Sequence, residues 1–366
     1  MSGRVPDHVA GIVPYEPGLP AAELERNLGI RGLVLLASNE NPLGPSPRAI
    51  QAMKDVLQGS HRYPDGGGYY LRKGLSEKYR LSMERIILGN GSTEIVELLA
   101  RAFLGGRNSA VVSDHSFLMY RMAVQAVNGN IVTVPMRDFR NDLPAMAQAV
   151  TSDTRLVFMA NPNNPTGTYN TDTEVRQFLE RIPEHCLVVV DEAYREYADA
   201  PDYPDSLPFL EGGPEIILLR TFSKVYGLAG IRLGYGLSGK EIIGTLERVR
   251  SPYNTSAVAQ AAGLAALGDR DHLRKSVELN RKEKVFLAGE LARRSISTLP
   301  TEANFLMVEV PGRTGEEVYR ELLSLGILVR PLAPYDLPSW VRVAIGTRRE
   351  NLLFLAGLDR IDRGRG

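Results

Sequence analysis

The chain has 366 residues, of which 43% are hydrophobic and 23% are charged, as in an ordinary folded globular protein. The 43 lysines and arginines equal the 43 aspartates and glutamates in number, so no basic excess points to nucleic acid or to an anionic membrane. No stretch resembles a signal peptide and no run of 18 apolar residues occurs, so we expect a cytoplasmic protein that spans no membrane.

One cysteine and five histidines give no pattern of metal ligands. Cys186 cannot form an intrachain disulfide, which fits a reducing compartment, and the apolar run after it predicts an inert, buried side chain. The histidines are scattered at positions 8, 61, 115, 185 and 272, and this spacing is not that of a metal site. We therefore expect no metal.

The pattern of apolar residues predicts an arm followed by a large domain. Residues 1–30 are rich in proline and glycine, show weak periodicity and are expected to form an N-terminal arm. In residues 31–267, short apolar runs alternate with longer amphipathic ones, which predicts an α/β fold with a mostly parallel sheet sandwiched by helices. The predicted strands are Arg85–Leu88, Ser109–Ser113, Ile131–Val134, Leu156–Ala160, Leu187–Val190, Ile216–Leu219 and Leu233–Leu237.

The pattern changes after residue 267, and residues 268–366 are expected to form a smaller α+β domain. It begins with a long charged helix and ends with another helix. Between them we predict three strands and a further helix. The predicted elements are a helix over Asp269–Arg293, strands over Asn304–Val310, Ile327–Arg330 and Val341–Ile345, and a helix over Gly315–Leu325.

The segment Thr221–Arg232 follows a predicted strand and holds one lysine among small and apolar residues. A lysine that forms a Schiff base needs a partly desolvated site, because only its neutral amine is nucleophilic. Ser223 precedes Lys224 and Arg232 follows it, so a hydroxyl and a guanidinium could bind one phosphate. A surface lysine in a loop remains the alternative for this motif alone.

A second motif is an apolar run that ends in Asp191, with Tyr194 shortly after it. Ligands of open α/β sheets bind at the carboxyl ends of the strands, where this aspartate is expected. A pyridine ring needs an anionic partner to stay protonated on nitrogen, and Tyr194 could reach the phenolic oxygen of the same ring. Asp191 could instead cap the next helix.

Two turns complete the set. In Asn161–Gly167, two Asn-Pro pairs and a glycine make a rigid turn from which Asn164 could donate to a phenolic oxygen, although a plain turn would look the same. Gly89–Glu94 opens an amphipathic helix, whose free N–H groups and dipole attract phosphate, although a simple helix cap is equally consistent. The spacing is not that of a nucleotide-binding loop. No motif decides the matter alone, but their joint order does.

These four motifs resemble those of the fold-type I pyridoxal-phosphate enzymes and, within them, the histidinol-phosphate aminotransferase family. The likeness covers nearly the whole chain. Other segments that carry it are Val13–Tyr15, Ser38–Pro45, Arg62–Asp65, Ser251–Asn254, Asn304–Phe305, Ile327–Pro331 and Val341–Thr347.

The resemblance implies that Lys224, Asp191 and Tyr194 are catalytic and that pyridoxal 5'-phosphate is the cofactor. Lys224 would hold the cofactor and shuttle a proton, and Asp191 would pair with its ring nitrogen. Phe117 takes the place of the stacking aromatic, although the usual Pro-Thr pair before it is missing. The implied cofactor-binding residues are Gly91, Ser92, Thr93, Phe117, Asn164, Asp191, Tyr194, Ser223, Lys224, Arg232 and Tyr63.

The resemblance also implies the substrates and the assembly. Tyr15 and Arg330 would bind the phosphate of histidinol phosphate, Arg342 the carboxylate of glutamate, and Asn39 would contact the substrate. Tyr63 would reach the cofactor phosphate of the neighbouring subunit, so a homodimer with shared active sites is expected, acting on small molecules only.

Three alternatives remain. An aminotransferase for aromatic amino acids would share the cofactor site and differ in the substrate pocket. A decarboxylase of a phosphorylated amino acid resembles the same motifs, although Leu228–Gly230 and Gly346–Thr347 look more like a transaminase. The cofactor-sensing half of a transcription regulator would need a DNA-binding domain, for which we expect no room before the arm.

Overall fold

The structure, a computed structural model, describes residues 4–15 and 20–363. The strands are β1 (Val34–Leu35), β2 (Ile86–Gly89), β3 (Ser109–Ser113), β4 (Asn130–Val134), β5 (Thr154–Ala160), β6 (Leu187–Asp191), β7 (Ile216–Thr221), β8 (Gly234–Ser238), β9 (Ser297–Thr298), β10 (Phe305–Glu309), β11 (Ile327–Leu328), β12 (Arg330–Pro331) and β13 (Trp340–Ala344). The α-helices are α1 (Asp7–Ala10), α2 (Ala21–Leu28), α3 (Pro47–Val56), α4 (Tyr69–Tyr79), α5 (Gly91–Phe103), α6 (Leu118–Ala126), α7 (Leu143–Gln148), α8 (Asp172–Leu179), α9 (Lys240–Val249), α10 (Ala257–Gly268), α11 (Arg270–Arg293), α12 (Gly315–Ser324) and α13 (Arg348–Arg363). Short 3-10 helices lie at Leu57–Gly59, Met83–Arg85, Arg195–Tyr197, Leu207–Glu211, Ala229–Ile231 and Ala333–Tyr335.

A seven-stranded sheet of order β2-β8-β7-β6-β5-β3-β4 forms the centre of the molecule. The neighbours from β7 to β4 pair in parallel, and β8 alone runs antiparallel to both of its neighbours. The predicted mostly parallel sheet is therefore confirmed. Each of the seven strands predicted within residues 31–267 lies within two residues of an observed strand at both ends.

The central strands are continuous apolar runs because both faces of the sheet are covered by helices. In β6 every residue is buried. Val188 and Val190 belong to the hydrophobic cluster on one face, whereas Leu187 and Val189 belong to the cluster on the other face. This alternation follows from the two-residue period of a strand. Burial on both faces fixes the positions at which β5, β6 and β7 end.

A second, four-stranded antiparallel sheet of order β12-β13-β10-β9 lies in the C-terminal part of the chain, as an α+β arrangement. Its cluster of buried residues also contains Val34 and Leu36, and β1 pairs in parallel with β11. The stretch just after residue 31 therefore packs with C-terminal elements. The predicted domain boundaries at residues 30 and 267 stay a prediction.

Two local expectations differ from the structure. The predicted strand over Ile327–Arg330 is two strands: β11 pairs with β1, whereas β12 pairs with β13, so the chain passes from one sheet to another at Val329. The expected arm contains helices α1 and α2, and Leu24 of α2 is buried. The helices follow Pro6 and Pro20 directly and have only four and eight residues, so the sequence pattern did not predict them.

Within the described residues no group of three or more His, Cys, Asp and Glu side chains lies together as metal ligands would. In the same part of the chain, no helix is both long enough and apolar enough to cross a membrane. Cys186 is buried as predicted, and burial raises the pKa of its thiol.

Candidate active site

Lys224 lies just beyond the carboxyl end of β7, where the apolar run gives way to a turn. Its side chain is half-buried, and its Nζ donates a hydrogen bond to the carbonyl of Ser38 at 3.1 Å. Burial, together with the positive charges of Arg342 and Arg232, lowers the pKa of Lys224 to about 7. The amine is therefore substantially neutral near pH 7, as a nucleophilic lysine must be.

Asp191 ends β6 and lies almost entirely away from solvent. Its Oδ2 accepts a hydrogen bond from the hydroxyl of Tyr120 at 2.7 Å, and its Oδ1 accepts one from the N–H of Ala193 at 3.1 Å. Burial raises the pKa of Asp191, whereas both hydrogen bonds lower it. A buried carboxylate held in this way suits a cationic partner in the cavity.

Two polar pairs lie next to this carboxylate. The Nδ2 of Asn39 donates to the hydroxyl oxygen of Tyr194 at 3.0 Å, and burial raises the pKa of Tyr194 to about 12. Arg342 donates through Nη1 to Oδ1 of Asn164 and through Nη2 to the carbonyl of Ala37, the latter at 2.8 Å. Within the described chain, the buried Oδ1 of Asn39 and Nε of Arg342 have no hydrogen-bond partner. These orphaned atoms are available to a ligand.

The start of α5 faces the turn that carries Lys224. Gly91 has a φ of +75°, and a Cβ there would collide with the guanidinium of Arg232. A Cβ at Gly234 would meet the backbone N of Ser92, so glycines allow this close approach. Arg232 Nη1 lies 3.4 Å from Ser223 Oγ. The first N–H groups of a helix, two hydroxyls and a guanidinium make a site for an anion.

These groups share one cavity of about 390 Å³, a size typical of a small-molecule site. The predicted residues that line it are Tyr15, Asn39, Gly91, Ser92, Thr93, Phe117, Asn164, Asp191, Tyr194, Ser223, Lys224, Arg232 and Arg342. The structure thus brings together residues that are separated by more than 300 positions in the chain. Their individual roles stay predictions.

Comparison with known proteins identifies the family. The family model described as aminotransferase class I and II matches residues 31–357. The chain belongs to this family of aminotransferases. The histidinol-phosphate aminotransferase of Anaeromyxobacter sp. (strain Fw109-5) is 46% identical over 98% of both chains. That of Moorella thermoacetica is 45% identical over 96% of this chain and 92% of its own.

A solved structure extends the likeness to the fold. The histidinol-phosphate aminotransferase of Sinorhizobium meliloti, in complex with pyridoxal-5'-phosphate, matches with a TM-score of 0.90 at 29% identity, over 100% of this chain and 99% of that one. The predictions of a fold-type I aminotransferase and of its family are confirmed.

Two predicted residues of the aminotransferase do not line the cavity. The ring of Tyr63 is 82% exposed and stacks on that of Tyr253, with centroids 4.7 Å apart. Arg330 lies outside the cavity wall, with its guanidinium carbon 5.8 Å from the centre of the Tyr15 ring. In the antiparallel pair of β12 and β13, Arg330 is directly opposite Arg342, so Arg330 lies next to the cavity.

Sequence analysis missed several residues that line the aminotransferase cavity. Tyr120 gave no signal because it sits on the buried face of α6, where an aromatic residue normally fills the core. Ser38 and Glu40 flank Asn39 in the segment Ser38–Pro45, but only Asn39 of this segment is among the predicted site residues. Tyr335 lies in a short 3-10 helix that has no recognisable sequence pattern. Burial raises the pKa of its hydroxyl.

Proposed function

We propose that the protein uses pyridoxal 5'-phosphate to transfer the amino group of histidinol phosphate to 2-oxoglutarate, yielding imidazole acetol phosphate and glutamate in histidine biosynthesis. One observation carries the proposal: a single cavity holds Lys224, Asp191 and Arg342 together. The relatives that bear the name histidinol-phosphate aminotransferase match the chain over nearly its full length.

The residues of the cavity fit this cofactor. Asp191 offers a buried carboxylate to the ring nitrogen, and the anion site at the start of α5 offers donors to the phosphate. Asn164 and Tyr194 line the same cavity and would bind the phenolic oxygen. When bound, pyridoxal phosphate supplies an electron-withdrawing ring that stabilises negative charge at the α-carbon of the amino substrate.

The chain's own groups would bind, orient and move a proton. Lys224 would hold the cofactor, and its Nζ would accept the proton from the α-carbon of the amino substrate. A pKa of about 7 suits this task, because a general base works best when its pKa is close to the working pH. Asp191 keeps the ring nitrogen protonated, which requires that its carboxylate stay charged.

The substrate end of the cavity is positively charged. Arg330 and Arg342 face each other across β12 and β13, and like charges in directly opposite positions destabilise a sheet. An anion bound between them would relieve that repulsion. The planar guanidinium of an arginine donates paired hydrogen bonds to carboxylate and to phosphate alike, so one pocket can bind glutamate and histidinol phosphate in turn. Tyr15, beside Arg330, adds a hydroxyl.

A panel of amino donors with 2-oxoglutarate tests the substrate. We expect histidinol phosphate to give the highest kcat/KM, with phenylalanine and threonine phosphate well below it. Release of carbon dioxide from threonine phosphate would point to the decarboxylase, and phenylalanine as the best donor to the aromatic aminotransferase. A solved threonine-phosphate decarboxylase is 20% identical to the chain, a likeness that concerns the fold alone.

We further propose a cytoplasmic homodimer whose active sites are shared. Exposed aromatic side chains close together in the sequence support the dimer: Tyr63, Tyr69 and Tyr70 are 82%, 50% and 73% exposed, and an interface would cover them. Tyr63 would extend from this region into the cavity of the second subunit. A two-fold symmetric dimer is also the commonest assembly.

Hybrid dimers made from two different variants test whether each active site contains residues of both subunits. Combining Tyr63→Ala chains with Lys224→Ala chains should restore activity, because one site of each hybrid dimer then has an intact lysine and an intact tyrosine. Tyr70→Ala, a change in an equally exposed ring, serves as the matched control and should leave activity unchanged. An active monomer in sedimentation at assay concentration would contradict the proposal.

A further inference from the structure

A buried ion pair lies directly behind the catalytic residues. Glu192 follows Asp191 at the end of β6, and Arg220 is the penultimate residue of β7. Arg220 approaches one oxygen of Glu192 with two nitrogens, Nε at 2.8 Å and Nη2 at 2.7 Å. The side chains are 1% and 0% exposed. The pair therefore joins the ends of the two strands that lead to Asp191 and to Lys224.

Aromatic and charged groups surround the pair on every side. The guanidinium carbon of Arg220 lies 4.8 Å from the centre of the Tyr79 ring, and Arg195 Nε lies 3.8 Å from Glu192 Oε1. The other titratable groups that interact with Arg220 are Tyr203, Tyr226, Tyr235 and Glu196. None of these groups lines the cavity, so the pair itself cannot contact the substrate.

Stability alone is a poor reason for this pair. Replacing a buried ion pair by apolar residues of similar volume is often neutral or stabilising, because the two charges lose their hydration. Moreover, Glu192 Oε1 and Arg220 Nη1 are buried without a hydrogen-bond partner in the described chain. Such incomplete pairing adds to the cost. What sets this ion pair apart from other ion pairs is its position next to Asp191 and the turn that carries Lys224.

We propose that Arg220 and Glu192 are positioning residues of the aminotransferase: they clamp together the strand ends that carry Asp191 and Lys224, and Arg220 balances the charge of Glu192 so that Asp191 stays anionic. This inference rests on the proposed function, since it assumes a cofactor bound to Lys224 and facing Asp191. Neither residue touches the reacting atoms.

The charges in the site agree with this role. Burial raises the pKa of Asp191, and the negative charge of Glu192, one residue away, adds to that rise. If Arg220 did not balance Glu192, the carboxyl of Asp191 would become easier to protonate. A protonated Asp191 could no longer act as the anionic partner of a protonated ring nitrogen. The balance of the pair thus bears directly on the catalytic carboxylate.

The pH titration of the visible absorption of the Lys224-bound cofactor, in purified holoenzyme, tests the charge balance. The charged groups that face Lys224 are Arg342, Arg232, Glu40 and Asp191, and all stay unchanged in the variants. In Glu192→Gln, the loss of the anion beside Arg220 should lower the apparent pKa by about half a unit to one unit. In Arg220→Gln, Glu192 keeps only Arg195, 3.8 Å from its Oε1, and should raise the apparent pKa by a smaller amount. Looser packing alone would not give shifts of opposite sign.

The double variant Arg220→Gln/Glu192→Gln tests the clamp. It removes both charges of the pair and should fold, with the apparent pKa of the wild type but a kcat that is about tenfold to a hundredfold lower, because the strand ends are no longer tied. Arg313→Gln/Glu321→Gln is the matched control, since Arg313 is a buried arginine paired with a glutamate in the C-terminal part of the chain. It should lower Tm without changing kcat or the apparent pKa.

Single variants that shift the apparent pKa in the same direction, or not at all, would overturn the proposal. If the single variants do not fold, the double variant decides: a lower kcat at an unchanged apparent pKa supports the clamp, and wild-type behaviour overturns it. Failure of the proposed function looks different, because then the wild type itself would lack the Lys224-bound absorption or would not transaminate histidinol phosphate.

Discussion

The two ends of the cavity are built in different ways. At the cofactor end, each motif follows directly after a strand of one sheet: Gly91 after β2, Asp191 at the end of β6, and Lys224 after β7. At the substrate end, Tyr15 comes from the N-terminal segment and Arg342 from the second sheet. The packing of one sheet therefore fixes the first group, whereas the second depends on how distant segments meet.

Replacing the lysine should have the largest effect, and only at the cofactor end. Lys224→Ala should lower kcat at least about a thousandfold, because it removes both the cofactor link and the general base. Borohydride treatment of the holoenzyme, followed by mass analysis of peptides, measures the link. Lys240→Ala is the control, since Lys240 is exposed and pairs with Glu84. A mutant still labelled at another lysine would refute the assignment.

The next largest effect is the change in the rate of cofactor uptake with pH. Only a neutral amine attacks the aldehyde, and burial lowers the pKa of Lys224 to about 7. The rate of uptake by the apoenzyme should therefore rise about tenfold per pH unit well below pH 7, by about fiftyfold in all between pH 5 and 7, and level off above about pH 8. Stopped-flow absorbance measures it. A rate that still rises steeply at pH 9 would mean that the lysine keeps its ordinary pKa.

The same contrast explains what the sequence could predict. Lys224, Asp191 and Asn164 could be found because a strand end followed by a polar motif has a local pattern. Tyr120 could not, since its contact with Asp191 spans 71 positions and its own pattern is that of a core residue. The division of Ile327–Arg330 into two strands also depends on distant partners, β1 and β13. Local patterns do not contain such pairings.

At the substrate end, Arg342→Lys should lower kcat/KM for glutamate and for histidinol phosphate by about one to two orders of magnitude, the value of one or more charge-assisted contacts. Lysine keeps the charge but loses the planar fork that holds Asn164 and the carbonyl of Ala37. Steady-state kinetics with each donor measure the loss. An equal loss of kcat/KM for both donors, with an unchanged absorption spectrum of the cofactor, would show that the substrate end acts independently of the cofactor end. A shifted spectrum would show that the two ends are coupled.

The smallest and most selective effect is expected for Arg330, which lies beside the cavity and not in its wall. Arg330→Ala should lower kcat/KM for histidinol phosphate about tenfold, since one contact with phosphate is lost, and should leave phenylalanine nearly unaffected. Tyr15→Phe, which removes only the hydroxyl of the neighbouring ring, is the matched control for the phosphate contact. An equal, small effect on both donors, with phenylalanine the better donor throughout, would assign the substrate end to aromatic amino acids.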